Sequence, residues 1–421
     1  MSFQDIRKSR RFLSAEEIRL LVFILFGLAI LFALNIFLAE ILPGGEWLYL
    51  RWSGARAFLV EQVEPYSTTI AERVQKIVYG RNAFASEYSY VLNDPFHIVL
   101  LYTPLARFFS FPVARAVWMV FAEGALVASV LFAFRLADWQ PPRWLYISLV
   151  GFGLFGYFNV ISLISGSPAI FIAFLCICIL LALRSFNDEL AGGLLVFIAY
   201  QWEVSGLFFL FIVILVVANR RWGVLVGFGM SFFVLFVVSF LANQGWGLPY
   251  VRAVLSVWYK AGNLNFSHFL SSLFPNSTLP LGLIASALLG PLVLIEWIGS
   301  ARAHFRRVVW TACLSLAVTP LLGFAIFPSN HVVLILPAIF ILTLVWERWN
   351  RNRTLAASSV LVVMFFVPFG LYGLTFLNGG EVFKDLLTVL PPAAAVIGLY
   401  WMRWWAVRSR RTWFDQIGDI A

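Results

Sequence analysis

The sequence predicts an all-α polytopic membrane protein of about 12 transmembrane helices, with a long outer loop after the first helix. Three observations carry that expectation. Hydrophobic residues make up 61% of the chain and charged residues 12%, with a mean hydropathy of +0.88, far outside the range of soluble domains. Apolar runs of roughly 15–24 residues recur along the whole chain, long enough to cross or nearly cross a hydrocarbon core. Arginines gather in the short connections between those runs, as the positive-inside rule requires of cytoplasmic turns.

The first run, 20–39, holds Asn35 as its one polar side chain and follows Arg7, Lys8, Arg10, Arg11 and Arg19. It is too long for a signal peptide and lacks a small-residue cleavage site, so it reads as a retained anchor with a cytoplasmic N-terminal flank. The next segment, 43–95, is polar, charged and aromatic. Its backbone groups would lack partners in lipid, so it is expected to fold over the outer membrane face and to bear the active site.

The run 96–109 is too short to cross and is expected to dip into the outer leaflet, returning at Ser110-Phe111-Pro112. Further spans fall at roughly 113–135, 144–161, 167–184, 189–203, 205–219 and 222–242, then at 279–299, 308–327, 331–346, 354–377 and 385–403. The pair 189–203 and 205–219 is short and broken at Gln201-Trp202-Glu203, a pattern tolerated where helices line a polar cavity. Basic groups at Arg220-Arg221, Arg302/Arg306/Arg307, Arg348/Arg351/Arg353 and Arg403/Arg408/Arg410/Arg411 mark cytoplasmic turns. The segments 243–275, 328–330 and 378–384 are then outer, and both termini inner, with 404–421 a basic cytoplasmic tail to a single integral-membrane domain.

Several chemistries have no signal. The net charge of +9 is spread over turns, where orientation accounts for it, so nucleic acid is not an expected partner. Cys176, Cys178 and Cys313 fall inside apolar runs, where free buried thiols are the norm. His97, His268, His304 and His331 are dispersed, giving no metal-ligand spacing, and neither a phosphate-cradling Gly-Lys-Ser/Thr loop nor a dinucleotide fingerprint occurs. No cofactor is expected; a membrane-borne donor or an ion gradient is left.

The candidate residues begin with Glu46, in Gly44-Gly45-Glu46-Trp47, just past the first span. Alone it reads as a wet interfacial acid, yet Tyr49, Arg51, Trp52 and Arg56 follow at helical spacing, then Glu64-Pro65-Tyr66. Carboxylate, guanidinium and aromatic ring together suit a sugar with a phosphate attached. Asn93-Asp94-Pro95 closes the segment, either as a helix cap or as a second acid. Glu123 is mid-span, Glu203 sits at the broken helix pair, Glu296 is placed to pair with Arg302, and His331 opens a span after Phe327-Pro328-Ser329-Asn330.

These positions resemble glycosyltransferase family 87, GT-C type polytopic enzymes that include polyprenyl-phosphate-mannose-dependent α-1,2-mannosyltransferases. The matching elements are Glu46, the small residues at 55–57, Pro65-Tyr66, Asp94-Pro95, Pro104-Leu105-Ala106, Ala191-Gly192-Gly193, Arg220-Arg221-Trp222, Asn263/Asn265/Ser267 and His331. Glu46 stands where members usually carry Asp, Gln201-Trp202-Glu203 where many carry a Lys, and Gly166-Ser167-Pro168 where they tend to have Gly-Gln.

The resemblance implies inverting transfer of a hexose, mannose by analogy, from a polyprenyl-phosphate sugar to a glycolipid or glycan hydroxyl. That transfer would take place at the outer face of a prokaryotic inner or plasma membrane. Glu46 would be the base, with Asp94 next, and His331 and Arg51 would face the leaving phosphate. Trp52, Tyr66, Glu203, Lys260 and Asn263 would contact substrate, with Arg252 in reserve. A secondary transporter or lipid flippase using Glu123 and Glu203 as coupling acids is the alternative; it predicts related halves, and no internal repeat is visible.

Overall fold

The computed structural model describes residues 15–84, 87–260, 266–274, 279–324, 326–349, 351–377 and 381–407, and these form helices joined by turns and irregular stretches, with no strand among them. Nine helices among the described residues are long and apolar enough to cross a membrane, as a multi-pass helical membrane protein requires. The other three expected spans are helices too, but of 16, 9 and 17 residues.

Helix α1 (Ala15–Ile41) is apolar on every side and stays exposed along most of its length, a burial pattern that suits lipid rather than protein neighbours. Two polar ties hold it to α6 (Phe111–Leu136). Asn35 donates to the Glu123 carboxylate at 3.0 Å. Arg115 donates to the carbonyls of Ala39 (3.1 Å), Leu42 (2.8 Å) and Pro43 (3.3 Å), satisfying the helix end that the backbone alone leaves open.

The 43–95 segment is built around α2 (Glu46–Arg56), a π-helical turn Ala57–Glu61 and α3 (Thr68–Tyr79). It has its own small core of Leu50, Ala55, Ile70, Val74, Leu92 and Phe96. On α3, Ile70, Ala71 and Val74 form the buried face, and Gln75 clasps the irregular stretch that follows, donating to Ser89 O at 2.6 Å and accepting from Ala83 N at 2.9 Å. The run expected to dip and return forms two six-residue helices, α4 (Phe96–Leu101) and α5 (Thr103–Phe108), broken at Tyr102 before Pro104. Each is about 9 Å long, too short to cross.

The bundle continues with α7 (Arg143–Phe155), α8 (Tyr157–Ser165), α9 (Ala169–Arg184), α10 (Asp188–Val196), α11 (Trp202–Ala218) and α12 (Trp222–Ala242). It ends with α13 (Gly247–Lys260), α14 (Phe266–Leu273), α15 (Leu281–Ser300), α16 (Phe305–Val318), α17 (Ile335–Arg348), α18 (Arg353–Leu374), α19 (Glu381–Trp401) and α20 (Arg403–Val407). Helices α16 and α17 are buried almost throughout and form the centre, while α12, α15 and α18 lie on the rim with long exposed apolar faces.

Helix α10 stops at Val196, seven residues short of the expected 203, because the chain turns through Phe197–Gln201 into α11. The Ser205 hydroxyl takes up the freed carbonyls, donating toward Ile198 O (2.8 Å) and Gln201 O (3.0 Å). At the end of the bundle away from α2, ion pairs Arg184–Asp138 and Arg403–Glu296 (2.7 and 2.8 Å) and the pairs Arg221–Asp188 and Arg306–Glu347 tie helix ends together. Glu296 is thus held by Arg403, with Arg307 at 3.7 Å, rather than by Arg302.

Candidate functional site

The turn from α1 into α2 positions the site. Gly44 and Gly45 both have positive φ, 115° and 85°, a region that only glycine enters freely. A Cβ on Gly44 would also meet Ile164 at 2.9 Å. The glycines therefore let α2 start at once across the end of the bundle, which carries Trp47 and Arg51 on one side of α2 and Tyr49, Trp52 and Arg56 toward another.

Arg51 and Asp94 form the heart of the site. They are 2% and 1% exposed, with Arg51 Nε 2.7 Å from one Asp94 oxygen and a second bond from the guanidinium to the other at 3.0 Å. Arg51 also donates to Trp47 O at 2.9 Å, and the Tyr66 hydroxyl donates to Asp94 O at 2.9 Å. Burial works against the Arg51 charge, and the Asp94 carboxylate together with nearby Tyr102 and Tyr200 more than offsets it, so the guanidinium is held above its usual range. A pair this enclosed contributes geometry more than stability, since desolvation opposes the attraction.

Beside the pair lies a cavity of about 90 Å³, lined by Trp47, Arg51, Tyr88, Asn93, Gln201, Glu203 and Asn330 among others. Glu203 feels both Arg51 and Asp94, and its carboxylate makes no hydrogen bond among the described residues. With two carboxyl groups to one guanidinium, and that guanidinium already matched by Asp94, the cluster favours neutral hydroxyl groups or cations over a phosphate. Trp47 forms one wall, its ring 5.6 Å from Tyr88 and 5.1 Å from Phe327. Burial first, then the nearby Glu203 charge, push the Tyr88 hydroxyl well above its ordinary value, so Tyr88 is a neutral donor.

Glu46 is set apart from this cavity. It is half-buried at the start of α2, near Arg115 and Tyr90. Burial raises its pKa, with its own backbone N–H and the Arg115 charge pulling part of the way back. Trp52 donates to Leu105 O at 3.3 Å and turns toward a second groove. Lys260 ends α13, but its side chain, like all of Asn263, lies outside the described residues. Arg252 is exposed on α13. Glu123, half-buried in mid-α6, is engaged by Asn35 on the α1 side.

His331 does not share a cavity with Glu46, as the sequence led one to expect. It belongs to the 3₁₀ segment Pro328–Leu334, where Nε2 lies 2.6 Å from Thr388 O and donates to it, and the ring packs edge-on against Phe158. It faces an apolar slot of about 530 Å³ between α7, α8, α17, α18 and α19. Tyr157, Asn159 and His331 supply the polar groups at one end, and Val345, Gly398 and Trp401 mark its other end. The preceding residue, Asn330, lines the polar cavity. Ser162 donates to Ser329 O and fixes the segment to α8.

Arg115 and Tyr88 were not singled out from the sequence, and Asn93 and Asn330 entered only as neighbours of Asp94 and His331. For Arg115 a signal existed: an arginine within the first turns of an apolar span needs a partner. Among the described residues, no three His, Cys, Asp or Glu side chains converge as a metal cage. Compared with protein-family models, curated proteins and solved structures, the chain matches none.

Proposed function

We propose that the protein transfers a hexose, mannose by family resemblance, from a polyprenyl-phosphate sugar to a hydroxyl of a glycolipid or glycan, with inversion, at the outer face of a cell membrane. The observation that supports this reading is the segment Pro328–Leu334, where Asn330 lines a polar, ionisable cavity and His331 an apolar intramembrane slot. A lipid-linked sugar needs two such compartments side by side. The isoprenoid chain would occupy the slot, the sugar the cavity, and the phosphate the junction.

In this reading Glu203 is the base, in place of Glu46. It lines the cavity with its carboxylate uncommitted, whereas Asp94 is tied to Arg51 and Glu46 lies toward Arg115. The acceptor oxygen bonds to the anomeric carbon as its proton passes to Glu203, and the bond from that carbon to the phosphate oxygen breaks with its electron pair. Polyprenyl phosphate leaves, and hydrogen-bond donors at the junction, Asn330 first, would stabilise its growing charge.

The test is mass-spectrometric detection of transfer from synthetic polyprenyl-phosphate mannose to a panel of glycolipid acceptors, with wild type, Glu203→Gln and Glu46→Gln side by side. Glu203→Gln is expected to lose on the order of 10²–10⁴ in rate while staying folded, and Glu46→Gln to lose little. The reverse ranking returns the base to Glu46. No donor-dependent product with any acceptor overturns the transferase reading.

A further inference from the structure

A second groove lies between α2, α3 and the start of α6, enclosing about 330 Å³. Its chemistry is opposite to that of the polar cavity. Arg73 donates to both oxygens of Glu61, at 3.1 and 2.7 Å, so its charge is matched. Arg56 is not matched: it stacks 5.1 Å from the Trp52 ring, feels Glu61 only at longer range, and has no hydrogen bond or ion pair among the described residues. Two guanidinium groups and one carboxylate leave the groove at +1. Ser110 and Phe111 line it as well, which brings the positive end of the 26-residue α6 to the same space.

The surroundings say where the anion would come from. Phe108 and Phe109, directly before Ser110, are 75% and 38% exposed, and Val60 is 46% exposed. The groove therefore sits where exposed apolar side chains meet the start of a candidate span, the level of lipid headgroups. Trp52, pinned by its bond to Leu105 O, gives Arg56 a flat support that keeps the guanidinium aimed without neutralising it.

We propose that this groove binds the phosphate of an anionic lipid headgroup, with Arg56 as the principal contact and Arg73 as its partner. The site does not depend on the transferase reading, since it lies off the other side of α2 and shares no lining residue with the polar cavity.

The experiment is a native mass-spectrometric titration of the purified full-length protein in neutral detergent with short-chain phosphatidic acid. Short-chain phosphatidylcholine and inorganic phosphate are run as comparisons, and a thermal melt accompanies each variant. Saturable binding of the phosphatidic acid is expected, weakened about tenfold or more by Arg56→Gln, as loss of a charge-assisted contact implies. Arg56→Lys should lose less, because it keeps the charge but not the fork, and Arg107→Gln, outside the groove, should bind as wild type does. Should Arg56→Gln fail to fold, the graded loss in Arg56→Lys carries the test. Equal binding by wild type and the Arg56 variants, or no saturable binding, overturns the proposal. Phosphatidylcholine binding as tightly removes the anionic preference, and inorganic phosphate binding as tightly makes it a soluble-anion site; either overturns it too.

Discussion

At the residue scale, the Arg51–Asp94 pair sets the strongest expectation. With side chains 2% and 1% exposed, removing one partner strands a charge without water or counter-ion. Arg51→Met or Asp94→Leu alone should destabilise by about 3–5 kcal/mol, while the double variant Arg51→Met/Asp94→Leu should recover much of that loss. Thermal unfolding in detergent, run as a double-mutant cycle, measures it; additive losses would mean the two groups do not act as a pair. Glu46 gives a pH test with a definite sign. Its folded-state pKa is raised above the ordinary 4.5, chiefly by burial, so the folded protein holds this proton more tightly than the unfolded chain does. The group is then neutral in its effect below about pH 4.5 and increasingly destabilising as pH rises to its folded value, after which the penalty is constant. Glu46→Gln is therefore expected to melt higher than wild type at pH 7 and at the same temperature at pH 4. A wild type more stable at pH 7 would mean that Arg115 outweighs burial.

At the scale of elements, the crossing of α10 and α12 depends on glycine. A Cβ on Gly192 would lie 2.0 Å from Val224 O, and one on Gly227 would lie 2.3 Å from Glu189 O, so each contact is backbone against backbone with nothing flexible to give way. Close approach through small residues is how helices gain packing where lipid removes the hydrophobic drive. Gly227→Ala should separate the two helices and cost about 1–3 kcal/mol as an overpacking change, whereas Gly229→Ala, with nothing within 4 Å of its Cβ, should be neutral or slightly stabilising through helix propensity. Melting temperatures of the two variants decide it. The elements themselves were largely legible because the bilayer forces apolar runs to close their own hydrogen bonds as helices. Their ends were less so. The break at Gln201-Trp202-Glu203 was visible, but that α10 would stop at Val196 depends on Ser205 reaching back to Ile198 O. No periodicity encodes that contact.

On the scale of the whole molecule, what the sequence could not disclose is which distant residues meet. Arg51 and Asp94 are 43 positions apart, and both reach Glu203 only through the turn after α10. His331 was placed with Glu46 because both were expected at one membrane face. Yet adjacent residues of a 3₁₀ segment point about 120° apart, so Asn330 takes the polar cavity and His331 the apolar slot. The two ends of the bundle differ in the same global way: α2, the polar cavity and the groove occupy one, and the ion pairs Arg184–Asp138, Arg221–Asp188, Arg306–Glu347 and Arg403–Glu296 the other. The positive-inside rule predicts that the second end faces the cytoplasm. Of the native thiols, Cys176 and Cys313 are buried and Cys178 is half-buried, so introduced cysteines should report with little background. Gln62 and Arg302 are exposed at opposite ends. In intact cells or spheroplasts, a membrane-impermeant maleimide is expected to label Gln62→Cys readily, and Arg302→Cys only after the membrane is opened. The opposite pattern would invert the protein, putting the polar cavity in the cytoplasm and the proposed lipid-linked donor on the wrong side. Labelling of both from one side would mean that the long apolar helices do not cross in the alternation read here.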